Sequence, residues 1–399
     1  MKKLLFPSLA AAALLGLIST ACALTVVPTF DASITGDPNG AAMTNAIMRA
    51  ISLFQGVIAD SNELHVKFVA DESIGLGQST TWYSAYPYST YVTALAAHAS
   101  STNDVAAQGK LAGGTVDPVV GNSQIVMASA LARNLGLATG YGPDGFDSTI
   151  SLKMSLMNLT RPGTDPNKYD LTTTVEHELD EVLGFASQLP NAYPAGPLGP
   201  PDLFRYTTNL VRTCATNGDD AYFSVDGSNL IARFNQNSGG DSQDWWSATG
   251  DHWAPAGTPP APQVQDAFGS PGTNYVDLGA SELTMLDVIG YTLVSAMAVE
   301  PAAPPVLKIT RVSEDQYSLT WSNANFSYAL QECTNLKTGT WTASASGTNN
   351  PAIVTATGTK FYRLYRPVAP SVVVAHSLTA SGSAPQLFQS VRSYQPRKP

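Results

Sequence analysis

Residues 171–185 read Leu171-Thr-Thr-Thr-Val-Glu-His-Glu-Leu-Asp-Glu-Val-Leu-Gly-Phe185, and the remainder of the chain makes sense when read outward from them. At about 100° per residue, Leu171, Val175, Leu179, Val182 and Leu183 fall on one apolar stripe that requires a core to pack on. His177, Asp180, Glu181 and Gly184 lie opposite, with Glu178 on the flank. His177 and Glu181 are four apart, so their side chains stand one turn above each other. Asp170 or Thr172 can cap the start, and Gly184 can end the helix in the left-handed conformation. A His, an adjoining Glu and a second ligand-type residue one turn on is the pattern of a helical zinc site, in which the adjoining carboxylate serves as general base. The competing reading is a solvated polar face with no metal.

The chain has 399 residues, enough for two or three domains. Residues 1–23 have the layout of a secretory signal: Lys2 and Lys3, an apolar run from Leu4 to Leu17, and Ala21-Cys22-Ala23 as an A-x-A cleavage site. Cys22 is a candidate lipidation site, but Ser19 stands where such a site prefers Leu, so a freely secreted protein is the first expectation and a periplasmic or lipid-anchored one the second. No later stretch holds 18 uninterrupted apolar residues, so no membrane span is expected in the mature chain. Loss of Lys2 and Lys3 takes the formal charge from −10 to −12. This acidic balance argues against a nucleic-acid partner, which needs clustered Lys and Arg, and suits solubility or cation binding. Only Cys214 and Cys333 follow the signal. They fall in different expected domains, so two buried, unbridged cysteines are expected, and a cysteine-rich zinc finger is excluded by count.

In chain order, 24–35 open with an edge strand and 41–59 place Met43, Ile47, Ile51 and Phe54 at helical spacing. Leu64-His-Val-Lys-Phe-Val69 alternates as a strand, with His65 an ordinary outward residue. Gly75 to Tyr83 reads as an exposed edge strand, and Tyr83, Tyr86, Tyr88 and Tyr91 either line a groove or pack, packing being the commoner case. Residues 89–100 and 122–135 read as helices, and 146–155 as a strand. Five prolines and two glycines in 190–201 preclude regular structure. A strand pair follows around Ala221–Gly227 and Leu230–Phe234, then a loop-rich run over 237–275 whose length points to function or disorder. Ser281–Tyr291 closes the unit as a short helix ending at Gly290. Beyond a Pro-containing linker at 296–306, six short strands at about ten-residue spacing from 307 to 367 have the rhythm of a β-sandwich. Residues 368–399 read as a disordered tail.

The order helix, strand, edge strand, helix and His177 helix, together with His177-Glu-Leu-Asp-Glu-Val-Leu-Gly-Phe-Ala-Ser187, resembles the zincin metalloproteases and, within them, the metzincin pattern H-E-x-x-H-x-x-G-x-x-H. Residues 24–295 look like a group of secreted bacterial metalloproteases related to the matrixins, and 307–367 like a β-sandwich module appended to many secreted bacterial enzymes. The resemblance implies an α+β zincin-like domain followed by a small all-β sandwich domain, with His177 as first ligand, Glu178 as general base and Gly184 as the turn toward a third ligand. Two positions depart from the pattern: Glu181 replaces the second His, an acceptable exchange, and Ser187, a poor ligand, replaces the third.

Charge bears on the missing ligand. One His with two carboxylates would cancel the zinc charge and weaken its pull on bound water, whereas two His and one Glu form a ligand set that supports catalysis. His252 lies in the loop-rich half and is therefore the candidate third ligand, with Asp202 next; a structural role is the alternative for both. His376 falls in the tail, and Met285, at helical spacing with Ile289, is a core residue. The expectation is a secreted endopeptidase that acts on protein or peptide and holds Zn2+ through His177, Glu181 and His252, with Glu178 as base. The alternative is a catalytically inactive zincin-shaped binding or adhesion protein. Carbohydrate binding through Trp245-Trp246 and the Tyr-rich loops is a third, weaker reading. The sandwich is expected to serve as a spacer or in cell-surface attachment.

Overall fold

The computed structural model describes residues 24–111, 113–218, 220–247, 262–294, 307–313, 316–321, 329–334, 342–345, 351–355, 359–365 and 386–396. The signal at 1–23, the linker at 296–306, His252 and His376 lie outside them. Among the described residues, no helix is long and apolar enough to cross a membrane.

Alternation builds the first layer. In β2 (Glu63–Ala70) Leu64, Val66 and Phe68 are buried and the intervening residues are not, as a one-sided strand demands. β1 (Thr25–Phe30) pairs with it in parallel at the sheet edge, as expected, and β5 (Ser148–Leu152) pairs in parallel on its other side. β3 (Gly77–Pro87) runs antiparallel to β5 through Gly77–Thr81 and then to β4 (Gln124–Ala128) through Tyr83–Pro87. The result is a mixed sheet. Between β1 and β2 lie the short α1 (Ala32–Thr35) and α2 (Gly40–Val57), which buries Met43, Ile47, Ile51 and Phe54 as its spacing predicts. α3 (Tyr88–His98) and α4 (Thr102–Gln108) follow β3. Residues 122–135 are not one helix: the β-branched and apolar run Ile125-Val-Met is drawn into β4, and only α5 (Ser129–Asn134) is helical. A short apolar run is ambiguous by periodicity, and pairing with β3 decides it. Tyr83, Tyr86, Tyr88 and Tyr91 are all buried, so the tyrosine tract packs and lines no groove.

The paired β6 (Met157–Asn158) and β7 (Tyr169–Asp170) lead into α6 (Leu171–Val182), which packs against α2 and beneath β3. After the Pro-rich turn come β8 (Arg205–Tyr206), β9 (Tyr222–Phe223) and β10 (Ala232–Arg233), a three-stranded antiparallel sheet. β11 (Phe268–Gly269) and α7 (Ala280–Ile289) follow; Gly290 ends α7 at φ 130°, and Met285 is in the core.

The six expected C-terminal strands are present as β12 (Leu307–Arg311), β13 (Gln316–Trp321), β14 (Ala329–Cys333), β15 (Thr342–Ala343), β16 (Ala352–Thr355) and β17 (Phe361–Tyr365). They form two small antiparallel sheets, β12-β13-β16 and β15-β14-β17, whose Leu319, Leu330, Ala352 and Val354 share one apolar cluster. No disulfide links Cys214, which is half-buried, to Cys333, which is buried.

One expectation is overturned within the tail. Leu387–Pro396 form β18, which pairs antiparallel with β3 from Leu387↔Ser84 to Tyr394↔Gly77 and in parallel with β11. β3 is therefore an interior strand over Gly77–Ser84 and not an exposed edge. The composition around β18 is polar, and it is pairing with the β3 edge, together with burial of Arg392 and Tyr394 two apart on one face, that orders it.

Candidate metal centre

α6 is fixed at both ends by the residues its sequence suggested. The Asp170 side chain accepts from the Thr173 amide at 2.7 Å, and Arg161 binds Asp170 at 2.7 Å and the buried Glu176 at 3.3 Å. Glu176 also accepts from the Leu278 amide, which ties the second turn to the approach of α7. At the other end Gly184 adopts φ 110°, and a Cβ there would meet the Leu131 side chain at 3.0 Å. Between these anchors every residue of α6 except Thr173 is buried. The polar side is therefore not a solvated face: His177, Glu178, Asp180 and Glu181 are each 0% exposed.

Three of the buried groups converge. His177 Nε2 lies 4.0 Å from Glu181 Oε1 and 3.9 Å from Asp244 Oδ1, and these donor atoms all fall within 4.8 Å of one another. The Val264 carbonyl, 3.0 Å from His177 Nδ1, can only accept, so Nδ1 carries the proton and Nε2 is the acceptor, facing the two carboxylates and the Gln265 amide N–H at a long 3.4 Å. Glu181 is oriented by Ser79 Oγ on one oxygen and Gln243 Nε2 on the other, both at 2.7 Å. Asp244 accepts from Gln265 Nε2 at 3.0 Å through Oδ1, while its Oδ2, buried, meets no donor among the described residues. Trp245 pins this loop: it is fully buried against Phe185, Phe223 and Phe234, and its indole N–H donates to Glu282 at 3.1 Å.

Electrostatics explain what such a cluster needs. Burial lowers His177 to about 4, leaving it neutral with an available lone pair, although the Val264 hydrogen bond pulls the other way. Burial raises Glu181 to about 8; Asp241 repels it further and Arg392 opposes the rise. Asp244 and Glu178 are pushed well above the carboxylate range, first by burial and next by Glu181. Asp180 is raised by burial and then by Glu282 and Glu181. So many desolvated acids hold protons unless a cation compensates them. A tetrahedral ion with ligands at about 2.1 Å sets its donor atoms about 3.4 Å apart, so closure of the triad requires inward shifts of about half an ångström. The donor set, the tautomer and the orphaned Asp244 oxygen fit a divalent metal.

Glu178 sits beside this triad. No N–H or O–H among the described residues is in hydrogen-bonding position to either of its oxygens, and the neighbouring Glu181 carboxylate raises its proton affinity. It lies against bare backbone: a Cβ on Gly77 would come within 2.4 Å of Glu178 Oε1. β18 supplies the roof. The Tyr394 ring stacks on His177 with centroids 3.9 Å apart and planes 17° from parallel. Buried Arg392 donates to Gln243 Oε1 at 3.3 Å and, more tightly, to the Ser187 carbonyl.

Sequence reasoning locates His177, Glu178 and Glu181 together but not Asp244. The available signal is an acid preceding a tryptophan in the loop-rich run, Asp241-Ser-Gln-Asp244-Trp, and histidine preference points to His252 instead. Asp202 is engaged elsewhere: it accepts from Ser187 Oγ and from the Gln188 and Gly199 amides at 2.9 and 3.0 Å, clamping the Pro-rich turn. Ser187 thus serves the loop and not the metal triad. Arg392 and Tyr394 carry no local signal. The chain matches no family model, no curated protein and no solved structure.

Proposed function

We propose that residues 24–295 form a zincin-like domain and that the chain is a secreted zinc-dependent endopeptidase. Its metal would be held by His177, Glu181 and a third group, Asp244 or in its place the His252 that the sequence suggests, which leaves a fourth position for water, and residues 307–367 would form the appended β-sandwich. The observation that carries this reading is the convergence of one neutral His and two carboxylates in a fully buried, acid-rich pocket beside an otherwise unengaged glutamate. Bound zinc would supply Lewis acidity toward a peptide carbonyl and an attacking water. Glu178 takes the proton of that water and returns it to the leaving amine; a cation nearby favours its charged form. The Val264 carbonyl fixes the His177 tautomer, and Ser79 and Gln243 hold Glu181 in its ligating orientation.

The test is metal analysis of purified protein followed by peptide hydrolysis. Zinc should be bound and should be lost in His177→Ala, Glu181→Ala and Asp244→Ala. Glu178→Gln should retain zinc while hydrolysis falls by about 10²–10⁴-fold. Full hydrolysis in Glu178→Gln would remove Glu178 from the chemistry. A second reading, an inactive zincin-shaped binding protein, is favoured by the sealed site and by Ser187 at the third ligand position. It predicts zinc binding with no hydrolysis of any peptide.

A further inference from the structure

His177, Glu178, Glu181 and Asp244 have no exposed surface, so neither an ion nor a peptide carbonyl reaches them without movement of something that covers them. β18 is the cover that returns from the far end of the chain. It follows the two small sheets in the chain and lies along β3, with only a two-residue contact to β11 on its other side. Its inward residues Arg392 and Tyr394 are both committed to the site, while Phe388 and Val391 are 39% and 55% exposed. The seat is imperfect: buried Arg392 Nε meets no acceptor among the described residues. Departure of β18 would bare the His177 ring and the peptide groups of Gly77–Ser84, of which Gly77 lies against Glu178.

We propose that β18 is an autoinhibitory strand: it occupies in cis the β3 edge and the face of His177, and its detachment opens the centre to metal and to an extended polypeptide segment. This rests on the metal reading of the same site and adds its regulation. The energetic logic is β-augmentation, in which one strand exchanges for another on the same row of backbone donors and acceptors.

The test uses the full chain in two arms. In amide hydrogen exchange, residues 387–394 and 77–84 should exchange through an opening in which β2 and β5 stay protected; exchange of β18 only with global unfolding would overturn the proposal. In the second arm, Thr80→Cys with Val391→Cys places cysteines at cross-strand partners on the outer face, within disulfide reach. Zinc uptake, followed by a chromogenic chelator, should be at least about tenfold slower in the oxidised than in the reduced form, with recovery on reduction. Equal uptake in the two forms would overturn the gate while leaving the metal site standing. Absence of zinc binding in both forms would overturn the metal reading and the gate with it, and is thereby told apart from failure of the gate alone.

Discussion

Glu178 occupies space that exists because residue 77 has no side chain. Gly77→Ala would push the Glu178 carboxyl, the flexible group that its Cβ meets at 2.4 Å, out of position. Zinc content should be retained while hydrolysis falls by about tenfold or more, read as a loss in kcat with KM little changed. Asp287, in the last turn of α7, offers a pH test remote from the metal triad. Burial first, then Asp104, raises it from 3.8 to about 7, although Asn103 and Ser101 donate to it. Between these values the folded chain holds a proton that the unfolded chain has released, so this carboxyl's contribution to stability falls as pH rises from 3.8 and is fully unfavourable above 7. Asp287→Asn should therefore be more stable than wild type at pH 8 by on the order of 2 kcal/mol, seen as a higher Tm, and the gain should shrink toward pH 4. An equal difference at both pH values in thermal scans would count against ionisation of the buried Asp287 carboxyl as the cause.

At the scale of the element, α6 illustrates how a buried polar helix is held in place. Its apolar stripe meets α2 and the sheet, while Glu181 and His177 are oriented by groups from β3, the Gln243–Asp244 loop and the Val264–Gln265 segment. The geometry depends on the sharp exit at Gly184. Gly184→Ala forces a side chain into φ 110° and against Leu131, and should cost about 1–3 kcal/mol in denaturant unfolding. The helix itself is legible from its sequence: its N-cap Asp170, its stripe and its closing glycine act as their chemistry dictates. Residues 122–135 mislead because a short, apolar, β-prone run satisfies either period, and only the β3 edge distinguishes them.

Across the whole molecule, the centre joins segments that are distant in sequence: α6, the loop at Asp244, the segment at Val264 and β18 near the C-terminus. Metal binding should therefore stabilise the assembly of these segments and not α6 alone. Zinc at about 100 times its Kd should add about 2.7 kcal/mol to unfolding, observed as a rise in Tm that a chelator reverses. No shift at saturating zinc would separate the triad from metal binding. A cation at the triad would relieve the mutual repulsion that burial otherwise settles by protonation.

The amino-acid sequence by itself determined what nearest neighbours on an element dictate: the α6 span and its caps, the shared face of His177 and Glu181, Glu178 beside them, the packed Met285 and the six short strands after residue 307. Tertiary structure alone decided that the polar face is buried, that Asp244 completes the triad, that Asp202 and Ser187 clamp a turn, and that Arg392 and Tyr394 return on β18 to roof the site. The physical reason is range. Helical periodicity and capping act over a few residues and are written in local spacing. Strand pairing and the meeting of buried charges depend on backbone edges and side chains tens to hundreds of positions apart, which leave no spacing in the sequence to read.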